Sequence, residues 1–268
     1  PLYSSAASDV YKRQLLAGGF AVTAYDLDKA ARKDAAGLGA SVAHSAAAAA
    51  AAADVVFVAV GFDAEVADVC RRDDGIFAGA RPNSVVVVNS TVSVDLVRTL
   101  AGEAEAAGLR FLDVPIARGR AAAEEGTLLA LAGGDAELLE SVRPMLSTFC
   151  SDIVHLGGAG HGQVAKAINN LLLWINGVGL MEAGRLADGT GIDLPALRDA
   201  LLLGSGRSWA LENWDSITFT WALKDMQLLL ELCDRSDGSF PLTGLVREQV
   251  KHVREVRQRG DAPAWTRE

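Results

Sequence analysis

The sequence predicts an α/β chain in two parts: a doubly wound sheet domain over residues 1–157 and an all-helical domain over residues 158–268. Three observations carry this. Short apolar runs rich in β-branched residues, polar only at their ends, recur through the first part. Such runs suit strands covered on both faces, as in a mostly parallel sheet. Helix-like stretches separate them, which implies strand–helix–strand units. After Gly157 the texture changes, and apolar residues recur at helical spacing without a β-rich run.

Taken in order, the chain opens on residues 1–14, which contain no initiator Met and no apolar strand. Ser5–Gln14 reads like a translated sequencing-adapter or assembly scar, so residues 1–14 are set apart as a non-native leader. A helix starting near Ser8 can still form, and Leu15–Phe20 closes it. Ala21–Asp26 reads as a strand ending in an acid. Ala46–Ala53 is expected to be a plain crossover helix, because alanine is the best helix former. It leads into the buried strand Asp54–Val60. Val85–Asn89, Arg110–Pro115 and the shorter Leu128–Leu131 and Ile153–Leu156 complete the strands. Helices are then expected at His161–Ala187, Leu194–Leu203, Ala222–Cys233 and Leu242–Arg257, separated by Gly, Pro and Ser. Trp209, Trp214, Phe219 and Trp221 read as helical core or subunit interface.

Asp plus Glu number 34 against 25 Lys plus Arg, a net charge of −9. An acidic chain with no basic run argues against nucleic acid and anionic membranes as partners. Cys70, Cys150 and Cys233 lie far apart in no ligand spacing, against a disulfide scaffold or a zinc site. The histidines show no ligand spacing either, so no metal is expected. Neither a signal peptide nor an apolar run of about 18 residues is read. The expectation is a soluble cytoplasmic protein.

A dinucleotide-binding fold runs strand, glycine-rich turn, helix, then a second strand ending in an acid about 20 residues after the turn. The later parts are present, with Asp26 at the strand end; the first strand and the glycine turn are missing. Asp26 would accept hydrogen bonds from the adenosine ribose hydroxyls and repel the extra phosphate of NADP. Leu27 offers that phosphate no positive charge, so NAD is expected over NADP. The plainer alternative is that Asp26, with Asp28, only caps the next helix. The missing strand would lie between the second and fourth strands of the sheet, leaving both without a ladder partner. The turn glycines would fall near Tyr3, Ser5 and Ser8, and the chain as written is expected to be inactive or nearly so.

Lys166, Asn169 and Asn170 lie at i, i+3 and i+4 and share one helix face. That face sits just past the sheet domain, where an interdomain cleft would form. A lysine in a partly desolvated cleft can take a hydroxyl proton or return it. Asn170 can hold a substrate oxygen with a neutral amide. A solvated surface lysine is the bland alternative, but two Asn residues inside an apolar helix ask for a reason. Arg118 offers a planar fork for carboxylate, phosphate or sulfonate oxygens; its bland alternative is a surface pair with Glu124 or Glu125. His161 sits between glycines at the helix start and could touch substrate, although a backbone role for the glycines is the safer reading.

Four blocks together resemble the β-hydroxyacid dehydrogenase family, which includes 3-hydroxyisobutyrate dehydrogenase and tartronate semialdehyde reductase. They are Tyr25-Asp26-Leu27-Asp28; Asn89-Ser90-Thr91, similar to the family's Asp-Ser-Thr; Asp113 to Gly119, followed by Gly126-Thr127-Leu128 and Gly133-Gly134; and Gly160 to Asn170, matching Gly-x-Gly-x-x-x-Lys-x-x-Asn-Asn. Lys224-Asp225 fits a late Lys-Asp pair. The resemblance implies a Rossmann-like domain and a helical domain, and hydride transfer between NAD(P) and a small anionic 3-hydroxyacid or its semialdehyde. It also implies a homodimer or homotetramer. By resemblance Lys166 is catalytic, Thr91 lies by the nicotinamide, Lys224 covers the same end of the cofactor, and Arg118, Gly119 and Asn170 bind substrate. Ala117-Arg118-Gly119 departs from the usual Ser-Gly-Gly; sulfolactaldehyde reductases of the family also carry an arginine here. The alternatives are an imine-reductase-like enzyme, against which Lys166 speaks, and a degenerate non-catalytic binding protein.

Overall fold

The computed structural model describes residues 3–266, with side chains from Val10 onward. The chain forms two compact units that part after Lys166. In the first, β3 (Val55–Val58), β4 (Val85–Val88) and β5 (Arg110–Asp113) run parallel. Their register sets Val58, Val88 and Asp113 side by side, so all three strands end on one line. Every residue of β4 is buried. Val85 and Val87 enter one core with Leu112, Leu139 and Phe149, while Val86 and Val88 enter another with Val66, Val97 and Leu100. That is how a continuous valine run folds: the pleat sends alternate side chains to opposite faces, and both faces are covered.

The sheet is more mixed than the sequence suggests. β7 (Leu128–Gly134) runs antiparallel to β5 and to the two-residue β6 (Ile116–Ala117), and only β8 (Cys150–His155) returns parallel to β7. The helix Gly119–Glu125 between β6 and β7 has seven residues. At about 10 Å it is too short to carry the chain back for a parallel crossover.

β1 (Thr23–Ala24) and β2 (Ser41–Val42) pair with each other in a separate two-stranded sheet. Among the described residues, β3 has β4 as its one strand partner. The second and fourth strands of the expected order are thus unjoined, and the run Ala21–Asp26 shortens to two paired residues. The helix Tyr3–Ala17 crosses the stretch set apart as a leader. Val10 and Tyr11 pack against the core, the Tyr11 ring lying 5.1 Å from Phe149, and Gln14 Nε2 donates to the Ala123 carbonyl at 2.7 Å. The side chains of Tyr3, Ser5 and Ser8, where turn glycines would fall, lie outside the described residues.

The helix His161–Asp188 opens the second part and is followed by Leu194–Leu203, Trp209–Glu212, Ala222–Cys233 and Pro241–Arg259. By length and composition, His161–Asp188 could cross a membrane. Its apolar stretches are interrupted by Lys166, Asn169, Asn170, Asn176 and Gly177, so it holds no unbroken apolar run of that length. Its Trp174, Val178, Leu180 and Met181 are instead buried in a helical core with Leu211, Trp214, Phe219, Met226 and Trp265. Of the aromatic cluster, Trp214 and Phe219 are core, whereas Trp209 and Trp221 are exposed.

The unjoined edges give a prediction. A graft of an apolar β-branched strand and a glycine-rich turn ahead of Val10, which keeps the packed residues Val10, Tyr11 and Gln14, should pair with both β1 and β3. Each backbone group so paired adds on the order of 1 kcal/mol of stability. The thermal midpoint of the grafted protein should rise by several degrees over the chain as written; an equal or lower midpoint would count against it.

Candidate active site

The start of the helix His161–Asp188 is seated on the end of β5. Asp113, the last residue of β5, is fully buried. Its Oδ1 accepts from the Gly160 amide at 2.8 Å, and its Oδ2 accepts from the Gln163 amide at 3.0 Å. Burial pushes this carboxyl up from 3.8 to about 6, against the opposing pull of those N–H donors. Glycine is required for so close a seat. Gly160 has φ +90°, and a Cβ on Gly162 would stand 2.4 Å from the Leu131 carbonyl oxygen. The Gly-x-Gly spacing is therefore a backbone requirement. His161 turns away, with Nδ1 3.1 Å from the Leu156 carbonyl oxygen.

The loop after β4 is tied to the same place. Gln163 Oε1 accepts from the Val92 amide at 3.0 Å, and Nε2 donates to the Ser90 carbonyl at 2.9 Å. Ser90 Oγ accepts from the Val60 amide at 2.8 Å, and Asn89 Nδ2 donates to the Val114 carbonyl at 2.7 Å. The segments that follow β3, β4 and β5 are thus linked, with Thr91 between two anchored residues.

The residues singled out from sequence fall as follows. Lys166 is half-buried one turn after Gln163. Further along this helix, Asn170 is buried and its Oδ1 accepts from Asn169 Nδ2 at 3.1 Å. Asp26 follows β1 and is half-buried; its Oδ1 accepts from the Asp28 amide at 2.9 Å. Asp28 caps the next helix through Ala30, so the capping role belongs to Asp28. Leu27 is exposed, and Arg32 Nη1 donates to the Asp26 carbonyl.

Arg118 holds a left-handed backbone, φ +87°, and Gly119 follows at φ +76°. Its Nη1 donates to Asp152 Oδ2 at 2.6 Å, Ser151 Oγ at 2.9 Å and the Thr127 carbonyl at 3.0 Å. Hydrogen bonds from Ser151 and then Arg118 hold the Asp152 carboxyl below its ordinary range. Glu124, one partner considered for Arg118, pairs with Arg120 instead. In the second unit, Lys224 Nζ lies 5.5 Å over the Trp221 ring, and the buried Asp225 accepts from Trp174 Nε1 at 3.1 Å. Asp113 and Gln163 were quoted in the sequence blocks but given no role; an acid closing an apolar strand was the available signal for Asp113.

Two family models cover nearly the whole chain. The NAD binding domain of 6-phosphogluconate dehydrogenase matches residues 11–157. The NAD-binding domain of NADP-dependent 3-hydroxyisobutyrate dehydrogenase matches residues 160–265. The chain belongs to the β-hydroxyacid dehydrogenase family. Like other β-hydroxyacid dehydrogenases it is an NAD(P)-dependent oxidoreductase. An NAD-dependent L-serine dehydrogenase of Pseudomonas aeruginosa is 37% identical over 75% of this chain and 67% of its own length. A probable 3-hydroxyisobutyrate dehydrogenase of Mycobacterium bovis is 35% identical over 74% of this chain and 67% of its own. The solved Mycobacterium tuberculosis 3-hydroxyisobutyrate dehydrogenase with L-serine superposes with a TM-score of 0.86 at 28% identity, covering 98% of this chain and 94% of that one.

The raised Asp113 carboxyl makes stability depend on pH. Between 3.8 and about 6 the folded state binds the proton more tightly than the unfolded chain. Its contribution is therefore most favourable below about pH 4, declines as pH rises through about 6, and is level above, a span of at most about 3 kcal/mol. Denaturant titrations across this range should show the decline in the native protein and its loss in Asp113→Asn. A slope unchanged in the variant would assign the effect elsewhere.

Proposed function

We propose that this β-hydroxyacid dehydrogenase uses NAD to oxidise a small anionic 3-hydroxyacid, or runs the reverse reduction of the semialdehyde, with Lys166 as general acid/base. The observation that carries it is the single helix on which a half-buried Lys166 is followed by Asn169 and the buried Asn170, downstream of a start pinned to Asp113. L-Serine and 3-hydroxyisobutyrate, named for the relatives, share a carboxylate and a hydroxyl on carbon 3. This supports that substrate class.

The residues present fit the two ends of a dinucleotide. Asp26, a half-buried carboxylate just past a strand end, suits the adenosine ribose hydroxyls. Thr91, held between Ser90 and Val92, offers a hydroxyl for the nicotinamide end. A nicotinamide held there would supply the hydride acceptor for oxidation and the hydride donor for reduction. Lys166 Nζ takes the hydroxyl proton in oxidation and returns it in reduction. Asn170, already oriented by Asn169, holds the reacting oxygen, since a neutral amide adds no charge to the lysine's surroundings. The family resemblance assigns the nicotinamide end to Lys224 as well, whose Nζ lies over the Trp221 ring. Arg118 grips the substrate anion with guanidinium donors beyond the Nη1 committed to Asp152, and Gly119 lets the backbone approach.

In the protein grafted with the strand and glycine turn, Lys166→Ala is expected to lower kcat by roughly 10²–10⁴, the usual worth of a positioned acid/base, with cofactor affinity nearly unchanged. Near-normal turnover in a folded variant would remove Lys166 from the mechanism. For cofactor choice, kcat/KM measured with the missing strand and glycine turn restored should favour NAD over NADP, and Asp26→Asn with Leu27→Arg should shift preference towards NADP. A native preference for NADP would refute the roles given to Asp26 and Leu27.

A further inference from the structure

We infer that Gln163 is a positioning residue: its carboxamide fixes Thr91 relative to the helix that carries Lys166. The inference rests on the reading that Thr91 meets the nicotinamide. Gln163 is 2% exposed, and both ends of its side chain are used on one short loop. The oxygen accepts from the Val92 amide and the nitrogen donates to the Ser90 carbonyl, the two residues that flank Thr91. The partners are 71 and 73 residues away in sequence, so nothing local imposes this geometry.

The residue is itself held firmly. Its backbone amide donates to Asp113 Oδ2, and its neighbour Gly162 packs too closely on Leu131 and Asp113 to carry a Cβ. The helix start therefore cannot slide on the strand ends, and the loop cannot slide on the helix start. Lys166 lies one turn on. A primary amide is the side-chain group that supplies a donor and an acceptor together at this reach. Methionine of similar volume supplies neither, and asparagine falls one methylene short.

A buried amide that merely fills space and satisfies two backbone groups would produce a general loss of stability on removal. A positioning residue produces a local one. Amide hydrogen exchange in the full chain separates the two. In Gln163→Met the Val92 amide should exchange about tenfold faster or more, while the β4 amides Val86–Val88 keep native rates. Faster exchange throughout β4, or native exchange at Val92, would overturn the inference. Should Gln163→Met fail to fold, Gln163→Asn is read by the same two criteria.

A second measurement reads the consequence at the cofactor. In the protein grafted with the strand and glycine turn, NAD affinity should fall about tenfold in Gln163→Met, while affinity for ADP-ribose, a ligand without the nicotinamide, stays unchanged. Thr91→Ala should do the same, and the double variant should be no worse than either single one. An equal loss for both ligands in Gln163→Met would show a structural role and overturn the inference. A native NAD to ADP-ribose ratio in Thr91→Ala would instead overturn the reading of Thr91, while exchange at Val92 still decides whether Gln163 sets the loop.

Discussion

A fully buried carboxylate at the end of β5 is the interaction on which the rest of the site depends. Burying an ionised Asp is costly unless donors are aimed at it. Here the donors are the first amides of a helix 28 residues long. They point at the carboxylate, and the positive end of the helix dipole adds to the attraction. The carboxylate and the helix start satisfy each other, so neither is easily displaced alone. The seat then dictates glycine at 160 and 162 and fixes where the helix that bears the proposed acid/base begins.

The same seat explains how two distant stretches of sequence become one piece of machinery. The segments after β3, β4 and β5 all close on a single line of strand ends. Ser90, Asn89 and Gln163 then stitch those segments together with bonds to backbone groups. Backbone groups offer fixed partners, whereas side-chain pairs would need both residues to be chosen together. A buried polar network of this kind defines one arrangement, because partial rearrangement would leave several groups unpaired at once.

The fold was legible where local pattern decides. The valines of β4 announce a strand covered on both sides, and the helices Leu194–Leu203 and Ala222–Cys233 form over the expected residues because apolar spacing and flanking breakers define them. β2 and β6 were not legible: two-residue strands exist only through their pairing, which no local pattern encodes. β7 runs past Leu131 to Gly134, and glycines give no strand signal although Gly133 and Gly134 pair with β5. In the site, Lys166 and the two asparagines were readable from spacing on one helix. The work of Asp113 and Gln163 was not, because their partners lie 47 to 73 residues away.

Arg118 stands where a side chain is ill at ease. Its left-handed backbone costs of order 1 kcal/mol or more for any residue with a Cβ, and glycine would adopt it without penalty. The chain keeps the arginine there and ties it down through Asp152, Ser151 and Thr127. Substitution by glycine would relax the backbone while discarding the guanidinium, so backbone ease and the tie to Asp152, Ser151 and Thr127 pull this position in opposite directions. A glycine here, as in the usual Ser-Gly-Gly, would give a relaxed turn without the tie to the strand that carries Asp152.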